Sequence, residues 1–194
     1  MSRITESSKI ENIKKAAMKL LTEHGFGNTT IAHISKKAGV SQGYLYRHYK
    51  SKEELIKDLI ETRAKYLRNL LHDILENSKD ISEITNKFIS TIFDETNANP
   101  SYAKFASSIV LNVNLPIAEK LESYKNLRIL AEKFVDLGKK TGELNPKVIP
   151  DEVLLVYSTI PFRHIILRLD KDENYKFGKE ESNRISELCL NALK

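Results

Sequence analysis

Hydrophobic residues recur three and four positions apart along almost the whole chain, which is the spacing of helices that each bury one face. No segment alternates between apolar and polar residues for long enough to predict a strand. The chain is therefore expected to be all-α, with about nine helices. They are predicted over residues 7–25, 30–38, 41–49, 51–75, 80–96, 100–112, 116–140, 151–169 and 179–193.

Two short predicted helices on either side of Gly39 are the most informative part of this pattern. The first has three apolar residues on one face: Ile31, Ile34 and Ala38. Gly39 permits the positive φ that a sharp reversal needs, and Ser41 after it is the candidate N-cap of the second helix. In the second helix Leu45 and Tyr49 share one face, while Gly43 and Arg47 lie on the opposite side. This is the pattern of a helix-turn-helix, whose second helix can enter the major groove of DNA.

The basic residues are concentrated in the same part of the sequence. Residues 1–50 contain nine Lys or Arg against three Glu, a net charge of +6, whereas the remaining residues carry −1. Lys and Arg side chains bind the DNA backbone by replacing its condensed counterions. A Lys-rich surface can also serve solubility alone, so the charge by itself leaves both explanations open. Because the basic residues coincide with the helix-turn-helix pattern, DNA binding is favoured over a role in solubility alone.

Composition indicates a folded protein of a reducing compartment. The chain of 194 residues is 41% hydrophobic and 29% charged, and its single cysteine, Cys189, cannot form an intramolecular disulfide. The N-terminus lacks the apolar core of a signal peptide. The longest mainly apolar stretch, 153–169, is interrupted by Pro161 and by charged residues. These features predict a cytoplasmic protein that does not enter a membrane.

Enzyme motifs are absent from the sequence. We find no HExxH motif, no Glu-x-x-His pair, no Gly-rich phosphate loop and no Gly-x-Ser-x-Gly elbow, and the five histidines are scattered. The sequence therefore predicts no catalytic residues, no metal site, no cofactor and no enzymatic activity.

The segment from Thr30 to Leu55 resembles the DNA-binding signature of the tetracycline-repressor (TetR) family of bacterial regulators. The match is ungapped at Thr30, Ile34, Ala38-Gly39-Val40-Ser41, Gly43, Leu45-Tyr46, His48-Tyr49, Ser51-Lys52 and Leu55. Ser35, Lys37 and Tyr44 depart from the family pattern, which affects the operator sequence rather than the fold. The resemblance implies a three-helix DNA-binding domain in residues 1–52 and a helical ligand-binding and dimerisation domain in residues 53–194.

Several residues of the matching segment are expected to contact the DNA backbone. Thr30 caps the second helix, whose free N–H groups attract phosphate. Gly43 costs about 1 kcal/mol inside a helix relative to Ala, which close approach to DNA would offset. Tyr46 and His48 resemble family positions that donate to phosphate, and Lys52 places a charge at the next helix start. The alternatives are an ordinary solvated cap at Thr30 and a merely tolerated glycine at position 43.

Other residues are candidates for contacts with bases. Gln42 can pair with adenine, Arg47 with guanine, and the ring of Tyr44 can meet a thymine methyl group. Arg47 can equally lie along a phosphate strand, and His33 on the second helix is either a flanking contact or solvated. The complete predicted DNA-binding set is Thr30, His33, Ser41, Gln42, Gly43, Tyr44, Tyr46, Arg47, His48 and Lys52.

The rest of the chain is expected to supply dimerisation and ligand binding. One short recognition helix covers few base pairs, so a homodimer on a palindrome is predicted, joined through the last two helices. Their apolar stripes comprise Val153, Val156, Tyr157, Ile160, His164 and Leu167, then Ile185, Leu188, Cys189 and Leu193. The alternative is that both stripes close the core of the monomer. The resemblance implies a small-molecule pocket, with candidate residues Tyr102, Phe105, Ile109, Tyr124, Phe134, Phe162 and Arg163, although such residues are often simply core.

These observations predict a transcriptional repressor that binds a palindromic operator and is released by a small molecule. The alternative is a protein of the same fold without an inducer, acting as an activator or as a nucleoid or division factor. A closed and well-filled core in the second domain would favour that alternative.

Overall fold

A computed structural model describes residues 6–111 and 122–194, and it describes side chains within these ranges except those of residues 122–125. The described residues form helices and no strand, which confirms the predicted fold class. The helices are α1 (Glu6–Asn28), α2 (Ile31–Ala38), α3 (Gln42–His48), α4 (Lys52–Glu76), α5 (Ile81–Ala98), α6 (Pro100–Leu111), α7 (Glu122–Thr141), α8 (Pro150–Lys171) and α9 (Lys179–Asn191).

The observed helices follow the predicted ones with small differences at their ends. α1 continues to Asn28, but Gly25 inside it has φ 76° and ψ 170°, so the regular helix is broken where its end was predicted. α5 begins after Asp80, whose carboxylate accepts a 2.7 Å hydrogen bond from the N–H of Glu83. The first residues of the predicted helix 116–140 lie outside the described residues.

The chain divides into two compact units after Thr62. The core of the first unit is built from the buried faces of α1 to α3 and the start of α4, with Ile13, Leu21, Ile34, Leu45 and Leu55 each at most 2% exposed. Thr29 is fully buried, and its hydroxyl donates to the carbonyl groups of Leu20 and Gly25 at 3.1 and 2.9 Å. These bonds connect the end of α1 to the start of α2.

The compact units divide within α4, whereas the domain boundary predicted at residue 52, which stays a prediction, lies where α4 begins. That boundary coincides with the start of α4, whose first turns are buried at Leu55, Ile56 and Leu59. Because these side chains complete the small core of the first unit, the unit ends after Thr62, within the helix. α4 therefore begins in one unit and continues in the other.

The second unit is a bundle of the remaining helices around α5. The buried residues of α5 pack in one core with those of α7, α8 and α9, and they include Ile81, Ile84, Phe88, Ile89, Ile92 and Phe93. The carboxylate of Glu143 accepts hydrogen bonds from the N–H groups of Ile81 and Ser82, at 2.8 and 3.0 Å, and so caps the start of α5. In the described ranges no helix has an apolar segment long enough to cross a bilayer.

Candidate nucleic-acid interface

The turn between α2 and α3 has the geometry that the sequence predicts. Thr30 caps α2 and its hydroxyl accepts a 3.2 Å hydrogen bond from the N–H of His33. Gly39 adopts φ 69° and ψ 32°, and its N–H bonds back to the carbonyl of Lys36. Ser41 then caps α3 by accepting from the N–H of Tyr44 at 3.1 Å. The two caps and the left-handed glycine are confirmed, and together they fix where α3 begins.

α3 has one buried face and one exposed face. Leu45 is 0% exposed and Tyr49, which follows the helix, is 8% exposed. Gln42, Gly43 and Arg47 are exposed on the other side of the helix, and the side chain of Tyr46 is 52% exposed. This is the distribution that the sequence predicts for a helix whose outer face is free to contact another molecule.

Gly43 lies in open space on that outer face. A Cβ atom at this position would meet no atom of the protein within 4 Å, and the residue does not have a positive φ. Neither packing within the chain nor backbone conformation therefore requires a glycine here. Close approach of DNA to this face stays a prediction, beside the alternative of a merely tolerated glycine.

A carboxylate at the base of α3 fixes the orientation of the helix. The hydroxyl of Tyr49 donates to Oδ2 of Asp58 on α4 at 2.7 Å, and Nζ of Lys14 on α1 lies 2.8 Å from the same oxygen. Burial and the adjacent carboxylate raise the pKa of Tyr49 well above its ordinary value. Burial alone would raise the pKa of Asp58, but hydrogen bonds from Lys14 and Tyr49 outweigh it and hold that pKa below the usual range.

The side chain of Tyr44 lies along the surface of its own unit. It is half-buried, its hydroxyl is buried without a hydrogen-bond partner among the described residues, and its ring lies 4.9 Å from the ring of His48. Nζ of Lys9 and the guanidinium of Arg47 lie 5.1 and 5.5 Å from the centre of the Tyr44 ring. Contact between Tyr44 and a base stays a prediction.

The side chains of His48 and Lys52 both lie close to α1. Nε2 of His48 lies 3.6 Å from Oε1 of Glu6, which is beyond hydrogen-bond distance. Nζ of Lys52 donates a 2.8 Å hydrogen bond to the carbonyl of Phe26 and so connects α4 to the end of α1. Contacts of both residues with phosphate remain predictions, and Lys52 has a structural role that its sequence position did not reveal.

The charges of the first unit are only partly neutralised by the protein itself. Lys14 pairs with Asp58, and Lys19 and Lys37 each lie 3.7 Å from Glu23. Within the described part of the chain, Lys36 and Arg47 form no ion pair, and both are exposed together with His33. These groups remain available to an external anion.

The predicted ligand residues that the structure describes do not all border the same cavity. A small cavity of about 10 Å³ in the second unit is bordered by two of them, Tyr102 and Phe162. Phe105, Ile109 and Phe134 are buried elsewhere in the core, and Arg163 is exposed on α8. The side chain of Tyr124 lies outside the described residues. The sequence therefore identified only part of the lining.

The polar residues beside this cavity were missed. Arg63 of α4 is 7% exposed, and its Nη1 donates to Oε2 of Glu95 on α5 at 3.2 Å. Arg63 interrupts the apolar face of α4 formed by Leu59, Ile60 and Leu67, and a charged residue on a buried face is a signal that the sequence did contain. Its partner could not be identified in the same way, because Glu95 is distant in sequence.

The apolar stripes of the last two helices divide between the core and the surface. Ile185, Cys189, Leu193 and Val153 are buried in the core of the second unit. Other leucines project outward: Leu155 is 63% exposed, Leu167 47% and Leu188 53%. Leu167 and Leu188 belong to the predicted stripes, whereas Leu155 does not, and Val156, Tyr157, Ile160 and His164 of the stripes are partly buried. A dimer contact through these helices stays a prediction, as does the alternative that the stripes only close the core of the monomer.

Comparisons with known proteins agree with this geometry. The family described as bacterial regulatory proteins, tetR family, matches residues 13–59. The HTH-type transcriptional regulator YvdT of Bacillus subtilis is 30% identical over 178 residues, which cover 90% of this chain and 91% of YvdT. The nucleoid occlusion factor SlmA of Vibrio campbellii is 29% identical over 112 residues, 57% of each chain. The matched segment spans only 32% of another relative, the B. subtilis regulator YerO.

A solved structure shows the same fold over nearly the whole chain. The transcriptional regulator FadR from Bacillus subtilis, solved in complex with stearoyl-CoA, superposes with a TM-score of 0.76, at 19% identity, over 95% of this chain and 99% of FadR. At this identity the likeness concerns the fold alone. The near full-length match to YvdT, together with the helix-turn-helix that the family description covers, shows that the chain belongs to the tetracycline-repressor (TetR) family of bacterial regulatory proteins.

Proposed function

We propose that this protein is a sequence-specific DNA-binding regulator of transcription in the bacterial cytoplasm. The observation that carries the proposal is the arrangement of α3, in which Leu45 is fully buried while Gln42, Gly43 and Arg47 face outward. An exposed helix with a glycine, an amide and a guanidinium can approach the major groove closely and form hydrogen bonds with base edges. The basic charge of residues 1–50 provides the attraction to phosphate.

The proposed DNA-bound form is a homodimer on a palindromic operator. A single α3 of seven residues reads too few base pairs to select one site in a genome. The exposed leucines on α8 and α9, Leu155, Leu167 and Leu188, support a contact between two copies through these helices. A two-fold contact of this kind would present two recognition helices to two half-sites about one helical turn apart.

We propose further that the regulator is a repressor released by a small molecule. FadR, which shares the fold, was solved with stearoyl-CoA bound, and YvdT shares nearly the full length of the chain and its helix-turn-helix class. Release requires that the effector binds more tightly to a form that cannot engage the operator. The polar cavity residues of the second unit are the proposed place for such binding.

A second candidate function is DNA binding without an inducer, as in a nucleoid or division factor. Two observations favour it. The cavity bordered by Arg63, Tyr102 and Phe162 has a volume of only about 10 Å³, and SlmA is named as a nucleoid occlusion factor. A well-filled core is what a protein without a small-molecule effector would have.

The test is to recover the DNA that the protein binds from its own genome and to sequence it. We expect a palindromic motif with half-sites about one helical turn apart, and tighter binding to this motif than to random duplex of equal length. Fluorescence anisotropy titrations at low salt measure both affinities. The absence of any duplex binding in low-salt buffer would refute the proposal, and sites distributed away from promoters would support the second candidate.

A further inference from the structure

Arg63 is a buried cation next to the cavity of the second unit. Its side chain is 9% exposed, in a wall that also contains the apolar residues Ile92, Phe162 and Ile165. Placing a charge in such surroundings is costly unless the charge is paired and hydrogen-bonded. An arginine at this position therefore calls for an explanation beyond packing.

The partners of Arg63 differ in how firmly they are held. The guanidinium lies 5.0 Å from the ring centre of Tyr66 and 5.4 Å from that of Tyr102, within the range of a cation–π interaction. Its counter-ion is Glu95, which also accepts a hydrogen bond from the hydroxyl of Tyr66. The Glu95 side chain is 26% exposed, against 9% for Arg63. Glu95 can therefore turn into solvent, whereas Arg63 stays buried.

An unused hydrogen-bonding group borders the same cavity. Ser107 of α6 is 0% exposed, and its hydroxyl has no hydrogen-bond partner among the described residues. Buried hydroxyl groups are rarely left without a partner, since each costs desolvation energy. Nearby, Thr96 already donates its hydroxyl to the carbonyl of Ile92 at 2.7 Å. Ser107 is thus a donor, lining the same cavity as Arg63, that none of the described residues uses.

We propose that Arg63 and Ser107 form the receptor for the carboxylate of a small amphipathic anion, which displaces Glu95 from the guanidinium. This deepens the proposed function, because the anion would be the effector of the regulator. Exchange of one carboxylate for another keeps the buried guanidinium neutralised. Ser107 gains the hydrogen bond that it lacks, and the apolar residues of the wall, Ile92, Ala103, Ala106, Phe162 and Ile165, accept the hydrocarbon part.

The size of the cavity sets a condition on this exchange. A volume of about 10 Å³ holds about one water molecule, so the ligand must select a minor state in which the cavity is wider. The half-buried Tyr102 and the partly exposed Glu95 are the lining residues that can move outward, and the incoming carboxylate then takes the place of Glu95 so that the guanidinium of Arg63 stays paired. Affinity is reduced by the fraction of protein in that state, so millimolar concentrations of a small probe are appropriate.

The experiment uses the full chain and three probes with six-carbon chains and different head groups: hexanoate, its isosteric amide hexanamide, and hexylammonium. Thermal unfolding is followed as each probe is titrated. We expect hexanoate alone to raise Tm.

Arg63→Gln should weaken hexanoate binding at least tenfold, and Ser107→Ala at least threefold. Glu95→Gln should strengthen it severalfold, since the neutral amide competes less well for the guanidinium. Arg68→Gln, a change at a partly exposed arginine on the same helix, should leave hexanoate binding unchanged.

Ser107→Ala and Glu95→Gln keep the test decisive if Arg63→Gln does not fold. Ser107→Ala removes an unsatisfied hydroxyl, so the free protein should be as stable as the wild type or more stable. Equal effects of the three probes, or hexanoate binding that is unchanged by both Ser107→Ala and Glu95→Gln, would overturn the proposal. DNA binding is measured separately in the absence of probe. Loss of that activity would refute the proposed function, whereas intact DNA binding without a hexanoate effect would refute only the inference.

Discussion

The hydroxyl of Tyr49 and the carboxylate of Asp58 are joined by a 2.7 Å hydrogen bond that connects the end of α3 to α4. Because Lys14 of α1 contacts the same carboxylate oxygen at 2.8 Å, three helices of the first unit meet at one charged group. The orientation of α3 therefore depends on a polar contact as well as on the burial of Leu45. The contributions of these two features can be separated by mutation.

Tyr49→Phe removes the hydroxyl and keeps the ring. Asp58 retains Lys14 and is partly exposed, so we expect a loss of only about 1 kcal/mol in the free energy of unfolding, measured by urea titration. DNA affinity should fall as well, because α3 is held less firmly. A variant with wild-type stability would show that the Tyr49–Asp58 bond does not support the fold.

Tyr46→Phe is the matched control for this change. Tyr46 is 52% exposed on α3, and no hydrogen bond of its hydroxyl is seen in the described residues. The unfolding free energy should therefore stay within about 0.5 kcal/mol of the wild type. DNA affinity should still fall, since the predicted role of Tyr46 is to donate to phosphate. The two variants thus separate support of the helix from contact with DNA.

Gly43→Ala should improve stability and impair DNA binding. The added methyl group meets no atom of the protein within 4 Å, and alanine is favoured over glycine in a helix by about 0.5 to 1 kcal/mol. Urea titration should therefore show equal or higher stability. Anisotropy titration with the operator should show about tenfold weaker binding, because the methyl group blocks close approach. Unchanged operator affinity would show that DNA does not approach this face.

Gln42→Ala tests the reading of bases. The side chain of Gln42 is exposed at the first position of α3, where an amide can pair with adenine. We expect operator binding to weaken by about 1 to 3 kcal/mol, with almost no change on random duplex. Both affinities come from competition titrations at one salt concentration. Equal losses on the two kinds of DNA would assign Gln42 to backbone contact instead.

Features determined by neighbouring residues could be predicted from the sequence, and features that depend on distant residues could not. The caps at Thr30 and Ser41 and the left-handed Gly39 depend on side chains within three residues, and all were predicted correctly. The pairing of Arg63 with Glu95 brings together residues 32 positions apart, so no local pattern identifies it. Sequence reasoning could have noted the arginine on a buried face, but not its counter-ion.

The same limit explains the ligand residues. Aromatic residues on apolar helices, such as Phe105 and Phe134, have the same pattern whether they fill a core or line a pocket. Only the packing of several helices decides between these outcomes, and here it places both residues in the core. The polar residues beside the cavity are more informative, because a buried polar group needs a partner.

A further prediction concerns how low pH affects the contact between α8 and α9, which depends on the carboxylate of Glu181. Glu181 is buried, and its carboxylate accepts from His164, Arg168 and Tyr175 at 2.7, 3.0 and 2.8 Å. Burial alone would raise the pKa of Glu181, but the hydrogen bonds from His164 and Tyr175 outweigh it and lower that pKa. The stabilisation by the Glu181 carboxylate is therefore complete at pH values above its unfolded-state pKa of about 4.3. It decreases as the pH falls below that value and is lost once the pH is below the lower, folded-state pKa.

Glu181→Gln removes the titrating group. The difference in unfolding free energy between wild type and variant should be largest near pH 7 and should shrink as pH falls below about 4. Urea titrations at a series of pH values measure this difference. Glu187→Gln, at an exposed position of the same helix, should give a curve parallel to that of the wild type. A constant difference for Glu181→Gln would mean that the carboxylate charge is not what stabilises the contact.

The exposed leucines of the last two helices provide the test of assembly. Leu188 is 53% exposed on α9, so Leu188→Lys should change the stability of a single chain by less than about 0.5 kcal/mol. If two copies meet through this face, a buried lysine would separate them, and light scattering after size exclusion should shift from the mass of two chains to that of one. Ile129→Lys is the matched control, since Ile129 is 50% exposed on α7, which is not one of the two helices of the proposed contact, and this variant should keep the mass of the wild type. Operator affinity should fall with the loss of the dimer, because two half-sites then no longer bind as one. A dimer that survives Leu188→Lys but not Ile129→Lys would place the contact on α7 instead.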